Sequence, residues 1–217
     1  DLKVVSPGHN NGTTLIAYGG GSGDTITFRN STFDITNNTN LSAGSWRFLE
    51  HTSGPVFYFY KNTVNLTGLI RGVVLENVNG SIYNNTMVTT TGDYGLLLTG
   101  SDIKIKNNNL VGFTTSIHND NSTLNFNINN NNTWDTSTPY SGTGLPPAIG
   151  SMIGENDNGT TADIYNNISQ DPIFVHADTG NYNLQASSAL INAGDASYTD
   201  ADGSVADIGA LYYHIYV

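Results

Sequence analysis

The sequence predicts an all-β protein: a right-handed parallel β-helix (solenoid) of about six or more coils with a C-terminal closing segment. Three observations carry that expectation. Apolar residues recur with a 23-residue period, an Asn-rich turn stands at the same place in each period, and Asn, Thr, Ser and Gly supply the polarity in place of charge.

The 217 residues suit one elongated domain. Only 12% are charged, yet 12 Tyr, 8 Phe and 2 Trp set the chain apart from disordered sequences, which are poor in aromatics. The net charge is −11, and seven basic residues are too few to displace counterions from a nucleic acid, so that partner is excluded. Having no cysteine, the chain has no disulfide framework and no thiol nucleophile. No apolar stretch approaches the roughly 18 residues of a membrane span, so no membrane insertion is expected. Asp1 is not an initiating residue, and the chain reads as a processed form or a fragment.

The period is clearest from Phe59. Phe59-Tyr-Lys-Asn-Thr-Val64 aligns with Ile82-Tyr-Asn-Asn-Thr-Met87, Ile105-Lys-Asn-Asn-Asn-Leu110 and Ile128-Asn-Asn-Asn-Asn-Thr133 at steps of 23 residues. Phe28-Arg-Asn-Ser-Thr-Phe33 lies 31 residues upstream and Ile164-Tyr-Asn-Asn-Ile168 lies 36 downstream. The longer steps imply a loop inside a coil, and 137–159, rich in Gly, Ser and Pro, reads as one. In each copy the first residue points inward and the next outward, because strand side chains alternate. Asn then bends the chain, since it tolerates the left-handed region. Leu124-Asn-Phe126-Asn-Ile128 shows the same alternation, with the apolar residues inward. Twenty-three residues fit three short strands and three turns, and asparagines one coil apart predict a hydrogen-bonded ladder. Residues 1–170 are assigned to the coils and 171–217 to the closing segment with a terminal strand.

The second half of the chain carries a more specific pattern. Asp171-Pro-Ile-Phe174, Gly180-Asn-Tyr-Asn-Leu184, the run Ser187–Asp195 and the run Asp202–Tyr212 resemble, in order, the closing segment of parallel β-helix repeat proteins of the pectin-lyase-like superfamily. The resemblance covers about 45 residues closely and implies the fold. It implies little about function, because members include lyases, hydrolases, adhesins and structural surface proteins. The enzymes of that superfamily carry acidic clusters beside basic residues on adjacent coils. In this chain Arg29, Arg47 and Arg71 have no acidic cluster at coil spacing, and His9, His51, His118, His176 and His214 fall in no common register. At 23-residue spacing Asp93 meets Ser116 and Asp102 meets Asn125, so neither pair supplies two carboxylates.

Four sets of candidate site residues remain. Asp195, Asp200, Asp202 and Asp207 surround an Asp-Gly loop with oxygen ligands of the kind calcium takes, and solvated acidic turns are the competing reading. Tyr60 and Tyr83 point outward one coil apart, either as a platform for sugar rings or as a mutually stacked pair. Eleven Asn-x-Ser/Thr sequons begin at Asn11, Asn30, Asn37, Asn40, Asn65, Asn79, Asn84, Asn121, Asn131, Asn158 and Asn167. About six are expected from composition, and turn positions are accessible to a glycosylating enzyme. Leu211, Tyr213, Ile215 and Val217 alternate with polar residues in a last strand free of Lys, Arg, Asp and Glu. An unpaired strand of that kind invites addition to a neighbouring copy, head to tail.

The function expected from these residues is that of a non-catalytic extracellular or cell-surface structural β-helix, glycosylated and assembling end to end. No cofactor is required, with calcium the candidate if one binds. The alternatives are a carbohydrate-active enzyme of the pectin-lyase-like kind, looked for first around Asp200 and Asp202, and an adhesive module that binds a polysaccharide.

Overall fold

The computed structural model describes residues 3–6, 14–18, 25–36, 46–52, 54, 56–68 and 70–214. Its first 17 strands wind turn by turn. The first turn is β1 (Lys3–Ser6), β2 (Thr14–Tyr18) and β3 (Thr25–Arg29). The second is β4 (Thr32–Thr36), β5 (Trp46–Thr52) and β6 (Val56–Tyr60). The third is β7 (Thr63–Thr67), β8 (Ile70–Glu76) and β9 (Asn79–Tyr83). The fourth is β10 (Thr86–Thr89), β11 (Tyr94–Thr99) and β12 (Asp102–Lys106). The fifth is β13 (Asn109–Val111), β14 (Thr115–Asp120) and β15 (Ile128–Asn129), and the sixth has only β16 (Asn132–Trp134) and β17 (Thr138–Ser141). Each strand pairs in parallel with the strand one turn on, which gives three sheets: β1-β4-β7-β10-β13-β16, β2-β5-β8-β11-β14-β17 and β3-β6-β9-β12-β15. The fold is a parallel β-solenoid. Counted along the third sheet, whose five strands are separated by four turn-to-turn steps, it has about four turns, where six or more were expected.

Register follows from the inward rows. Phe33, Val64, Met87 and Leu110 stack along the first sheet. Leu49, Val73, Leu96 and Ile117 stack along the second, and Phe28, Phe59, Ile82, Ile105 and Ile128 along the third. Most of these side chains are wholly buried in one continuous core. A slip of one residue in any strand would turn its apolar row outward, which fixes the pairing.

The turn from the third sheet to the first gives the solenoid its regularity. The third motif residue is left-handed in every copy: Asn30, Lys61, Asn84, Asn107, Asn130 and Asn166 have φ between 50 and 61°. The fourth residue then points inward. Asn62 Nδ2 donates to Asn85 Oδ1 (3.1 Å), Asn85 to Asn108 (2.9 Å), Asn108 to Asn131 (3.0 Å) and Asn131 to Asn167 (3.0 Å). Each amide also donates to a backbone carbonyl of the preceding turn, as Asn108 does to Ile82 O at 2.9 Å. Each ladder oxygen accepts a backbone N–H as well, as Asn108 Oδ1 does from Asn85 at 3.2 Å. Every amide dipole therefore points the same way, and the donating end meets the buried carboxylate of Asp163, which accepts from Asn167 Nδ2 and from the N–H groups of Gly150, Tyr165 and Asn167. At the other end Ser31 replaces Asn, and its N–H donates to Asn62 Oδ1.

The segment 137–159 is not one loop. Thr138–Ser141 is β17 of the second sheet, and beyond it Leu145 and Ile149 pack onto the last turn of the core. A two-stranded ribbon follows, β18 (Gly154–Glu155) and β19 (Thr161–Ala162). Three apolar side chains depart from the expected alternation, and the first, Leu124, is 46% exposed. Phe126 is 56% exposed, because Asn125 takes the inward place and spends its amide on Ile103 O (2.8 Å). Ile164 is also exposed, since no further turn stacks on it.

The closing segment does not lie across the end of the coils. After a hairpin of β20 (Phe174–His176) and β21 (Asn181–Leu184), the chain runs back along the flank beside the Asn turns, as a strap. Asn130 Nδ2 donates to Ala193 O (3.3 Å), Asp195 N–H to Asn107 Oδ1 (2.8 Å), Gly209 N–H to Asn107 O (2.9 Å) and Ala210 N–H to Thr86 Oγ1 (3.0 Å). Leu184, Leu190, Ala193 and Ile208 form a second small core with Ala162 and Ile168 beneath the strap.

Candidate functional site

The strap covers the row of left-handed turn residues unevenly. At Asn107 and Asn130 it spends their side chains in hydrogen bonds. Toward the earlier turns it leaves a cleft of about 440 Å³, lined on the solenoid side by Asn30, Lys61, Thr63 and Asn84 and on the strap side by Asp200, Asp207 and Tyr212.

The four aspartates of the calcium expectation are not gathered round one point. Asp195 reaches away to Lys106 Nζ at 2.6 Å. Asp202 Oδ1 accepts the Ser204 hydroxyl (2.6 Å) and Asp200 Oδ2 the Asp207 N–H (2.9 Å). Asp207, 3% exposed, takes the N–H of Asn192 on one oxygen (2.8 Å) and that of Tyr213 on the other (2.6 Å). Among the described residues no group of three or more acidic or histidine side chains is placed to hold a metal ion. What the acids do is fasten the strap.

That role makes stability depend on pH. Burial pushes the Asp207 carboxyl up to about 6, against its two N–H donors and with help from Asp200 and Asp202. Burial also raises Asp200. A carboxyl whose folded value lies above its unfolded one stabilises the fold fully below about pH 4, and that stability is lost as pH rises through about 6. The loss from Asp207 is up to about 3 kcal/mol. Asp195 opposes the trend. Burial raises it, but hydrogen bonds from Lys106 and Ser197 outweigh burial and hold it low, so its contribution is lost at acid pH instead. Urea midpoints at about pH 4.5 and 7.5 should therefore be higher on the acid side, and Asp207→Asn should shrink the difference. A difference unchanged in the variant would place the response in another group.

Tyr60 and Tyr83 stack on each other with ring centres 4.7 Å apart and an angle of 7° between planes. The other side of Tyr83 meets Tyr198 of the strap at 5.9 Å. Burial, then the neighbouring tyrosines, push the Tyr83 hydroxyl up to about 12. The pair is a ladder whose facing rings cover each other, so it offers edges rather than an open platform for a sugar ring.

The sequons divide by burial. Asn131 and Asn167 are fully buried rungs of the ladder, and Asn84 is buried in the turn, which corrects the expectation that all turn sequons are accessible. Asn65 and Asn121 are half-buried, with amides bonded to Asp34 Oδ1 and to Ser101 O. Asn158 is exposed but donates to Ala189 O and Ile191 O, whereas Asn30 and Asn79 are exposed. Asn11, Asn37 and Asn40 lie outside the described residues. In a glycosylating host, glycopeptide mass spectrometry should find glycan at Asn30 and Asn79 and none at Asn131 or Asn167. A modified rung would mean that the glycan is added before the turn closes and blocks the ladder.

The expected terminal strand is not present where it can be seen. Leu211–His214 are not in strand, and Tyr213 donates its N–H to Asp207, while Ile215 and Val217 lie outside the described residues.

The outer side of the second sheet holds contacts among polar side chains. Arg71 Nε pairs with Asp93 Oδ2 at 3.1 Å and its guanidinium lies 5.2 Å from the Tyr94 ring centre. Arg47 pairs with Glu50 at 3.4 Å, a partner three residues along its own strand, so each of these arginines meets one carboxylate and not a cluster. His118 Nδ1 meets Ser141 Oγ at 2.8 Å, in register, and Tyr94 packs edge-on to His118. Along this sheet the step is 24 residues from Leu49 to Val73, 23 to Leu96, 21 to Ile117 and 23 to Tyr140. Asp93 therefore lies beside Thr115, whose N–H it accepts, rather than in register with Ser116. The arrangement can position polar ligands along the sheet, but it holds no pair of carboxylates. No family model, curated protein or solved structure matches the chain.

Proposed function

We propose that the chain is a non-catalytic structural element of the extracellular or cell-surface space, in which the parallel β-solenoid acts as a rigid spacer. One observation carries this reading. The asparagine ladder runs unbroken from Asn62 to Asn167, stops on a buried carboxylate, and satisfies backbone groups of each successive turn. A ladder of this kind resists bending and shear, because any displacement breaks several buried hydrogen bonds at once. The low basic content, a polarity carried mainly by Asn, Thr, Ser and Gly, and the accessible sequons at Asn30 and Asn79 support an extracellular setting. The ordered run of residues from Asp171 to Tyr212 supports a place in the pectin-lyase-like superfamily.

Assembly end to end, head to tail, belongs to the same reading: among the described residues the first-turn strands β1, β2 and β3 each have a partner on one side only. Negative-stain electron microscopy with and without a chelator tests assembly: uniform filaments support it, and single short rods limit the protein to a spacer. A second reading, a carbohydrate-active enzyme, rests on the polar contacts from Arg71 to Ser141 across the second sheet. Release of unsaturated or reducing ends from any of a panel of polysaccharides would overturn the structural reading and favour that one.

A further inference from the structure

Lys61 breaks the rule of its own turn. At the third motif position the five other copies carry Asn, whose short amide suits the left-handed region, while Lys61 occupies it at φ 53°. A long side chain at positive φ is disfavoured by about 1 kcal/mol or more, and such departures cluster where a side chain serves a ligand. Lys61 is exposed and projects at the cleft between the solenoid and the strap.

The cleft has the chemistry of a site for hydroxyl groups. Asn30 and Asn84 bring amides that both donate and accept, and Thr63 adds a hydroxyl. Asp200 faces them from the strap, with Oδ2 spent on the Asp207 N–H and its other oxygen in no hydrogen bond among the described residues. Lys61 and Asp200 line the same cleft from its two sides. Tyr212 supplies an aromatic wall. A volume of about 440 Å³ admits one or two sugar rings rather than a polymer in depth. The excess of carboxylates over the single ammonium, in a chain of net charge −11, disfavours an anionic ligand.

We propose that this cleft binds a neutral sugar residue, with Asp200 accepting from adjacent hydroxyls, Lys61 and the turn amides donating, and Tyr212 against the ring. The site is separate from the ladder and from the outer side of the second sheet, so it stands whether or not the chain is a spacer.

The test uses the whole chain with the methyl glycosides of glucose, galactose and mannose, and methyl glucuronide as the acidic arm. Saturation-transfer NMR followed by titration should show at least one neutral glycoside binding in the millimolar range or tighter. Lys61→Asn and Asp200→Asn should each weaken that binding about tenfold, a change of about 1.4 kcal/mol. Lys61→Asn restores the residue used by the other turns, so its thermal midpoint should equal or exceed the parent's, which separates lost binding from lost folding. The proposal is overturned if none of the three neutral glycosides binds, if Lys61→Asn binds as the parent does, or if the glucuronide binds more tightly than the neutral sugars.

Discussion

Asn108→Ala is expected to lower stability by about 3–5 kcal/mol, the largest effect of any single side-chain truncation in the turn. Asn108 Oδ1 accepts from Asn85 N–H and Asn85 Nδ2, and its Nδ2 donates to Ile82 O and Asn131 Oδ1. Alanine leaves the Asn85 N–H without its acceptor and the Ile82 carbonyl without its amide donor, and takes one of three acceptors from the Asn85 amide, which keeps Phe59 O and Tyr83 O, in a site closed to water. Each such group costs about 1–3 kcal/mol, and a methyl group recovers little of it. For a chain of this size the thermal midpoint should fall by roughly 10–15 °C. Asn127, exposed and with its side chain in no hydrogen bond, is the control, and Asn127→Ala should change stability by less than about 0.5 kcal/mol. Equal small losses at both positions would mean that the ladder contributes geometry but no net stability.

Gly80→Ala is expected to be of similar severity for a different reason. Gly80 stands in β9 between Phe57 and Ile103 in an inward row, at φ 150°. A Cβ there would lie 1.9 Å from Phe57 O and 2.8 Å from its carbonyl carbon, both backbone atoms that cannot swing aside. Strain at a positive φ adds to the clash, so a loss of about 3 kcal/mol or more follows. Yield of folded protein and the urea midpoint measure it. A midpoint within experimental error of the parent would show that the pleat at Phe57 and Gly80 can open without cost, and that the third sheet is less tightly stacked than its distances indicate.

The contrast between the three sheets explains what could be read from the sequence. The Asn turn was legible because one residue there must be left-handed and the next must fit a ladder, so the step is held at 23 residues from Asn62 through Asn131. Even the copies 31 and 36 residues away align, because extra residues are placed elsewhere in the coil and Asn167 still meets Asn131. The second sheet has no such constraint. Its steps of 24, 23 and 21 residues absorb the variation, which moved Asp93 off Ser116; His118 and Ser141 do stand 23 residues apart, and their pairing was hidden because 137–159 read as a loop. Phe126 was misplaced for a local reason: an Asn one residue earlier can satisfy the Ile103 carbonyl, and a polar bond outweighed apolar alternation. The buried sequons follow from the same ambiguity. Asn-x-Thr at Asn131 is written by the needs of the turn, and a sequence cannot show which asparagine faces in. The aspartates of the closing run were visible as a cluster, but their function as acceptors for strap N–H groups depends on a path that no spacing reveals.

The strap also bears on how many repeats the molecule can hold. A solenoid of 23-residue units is open-ended by construction, and a copied unit would extend every sheet and the ladder without a mismatch. The strap is different, because its length is fixed and its contacts fall on particular units: Ala193 on Asn130, Asp195 on Asn107, Ala210 on Thr86. Inserting a unit between Thr86 and Asn130 would move those anchors apart by one strand spacing, about 4.8 Å, and the strap could not reach them all. It works as a gauge. Duplications within its span are selected against and those outside it are tolerated, so related chains should differ in repeat number before the fourth turn rather than after it.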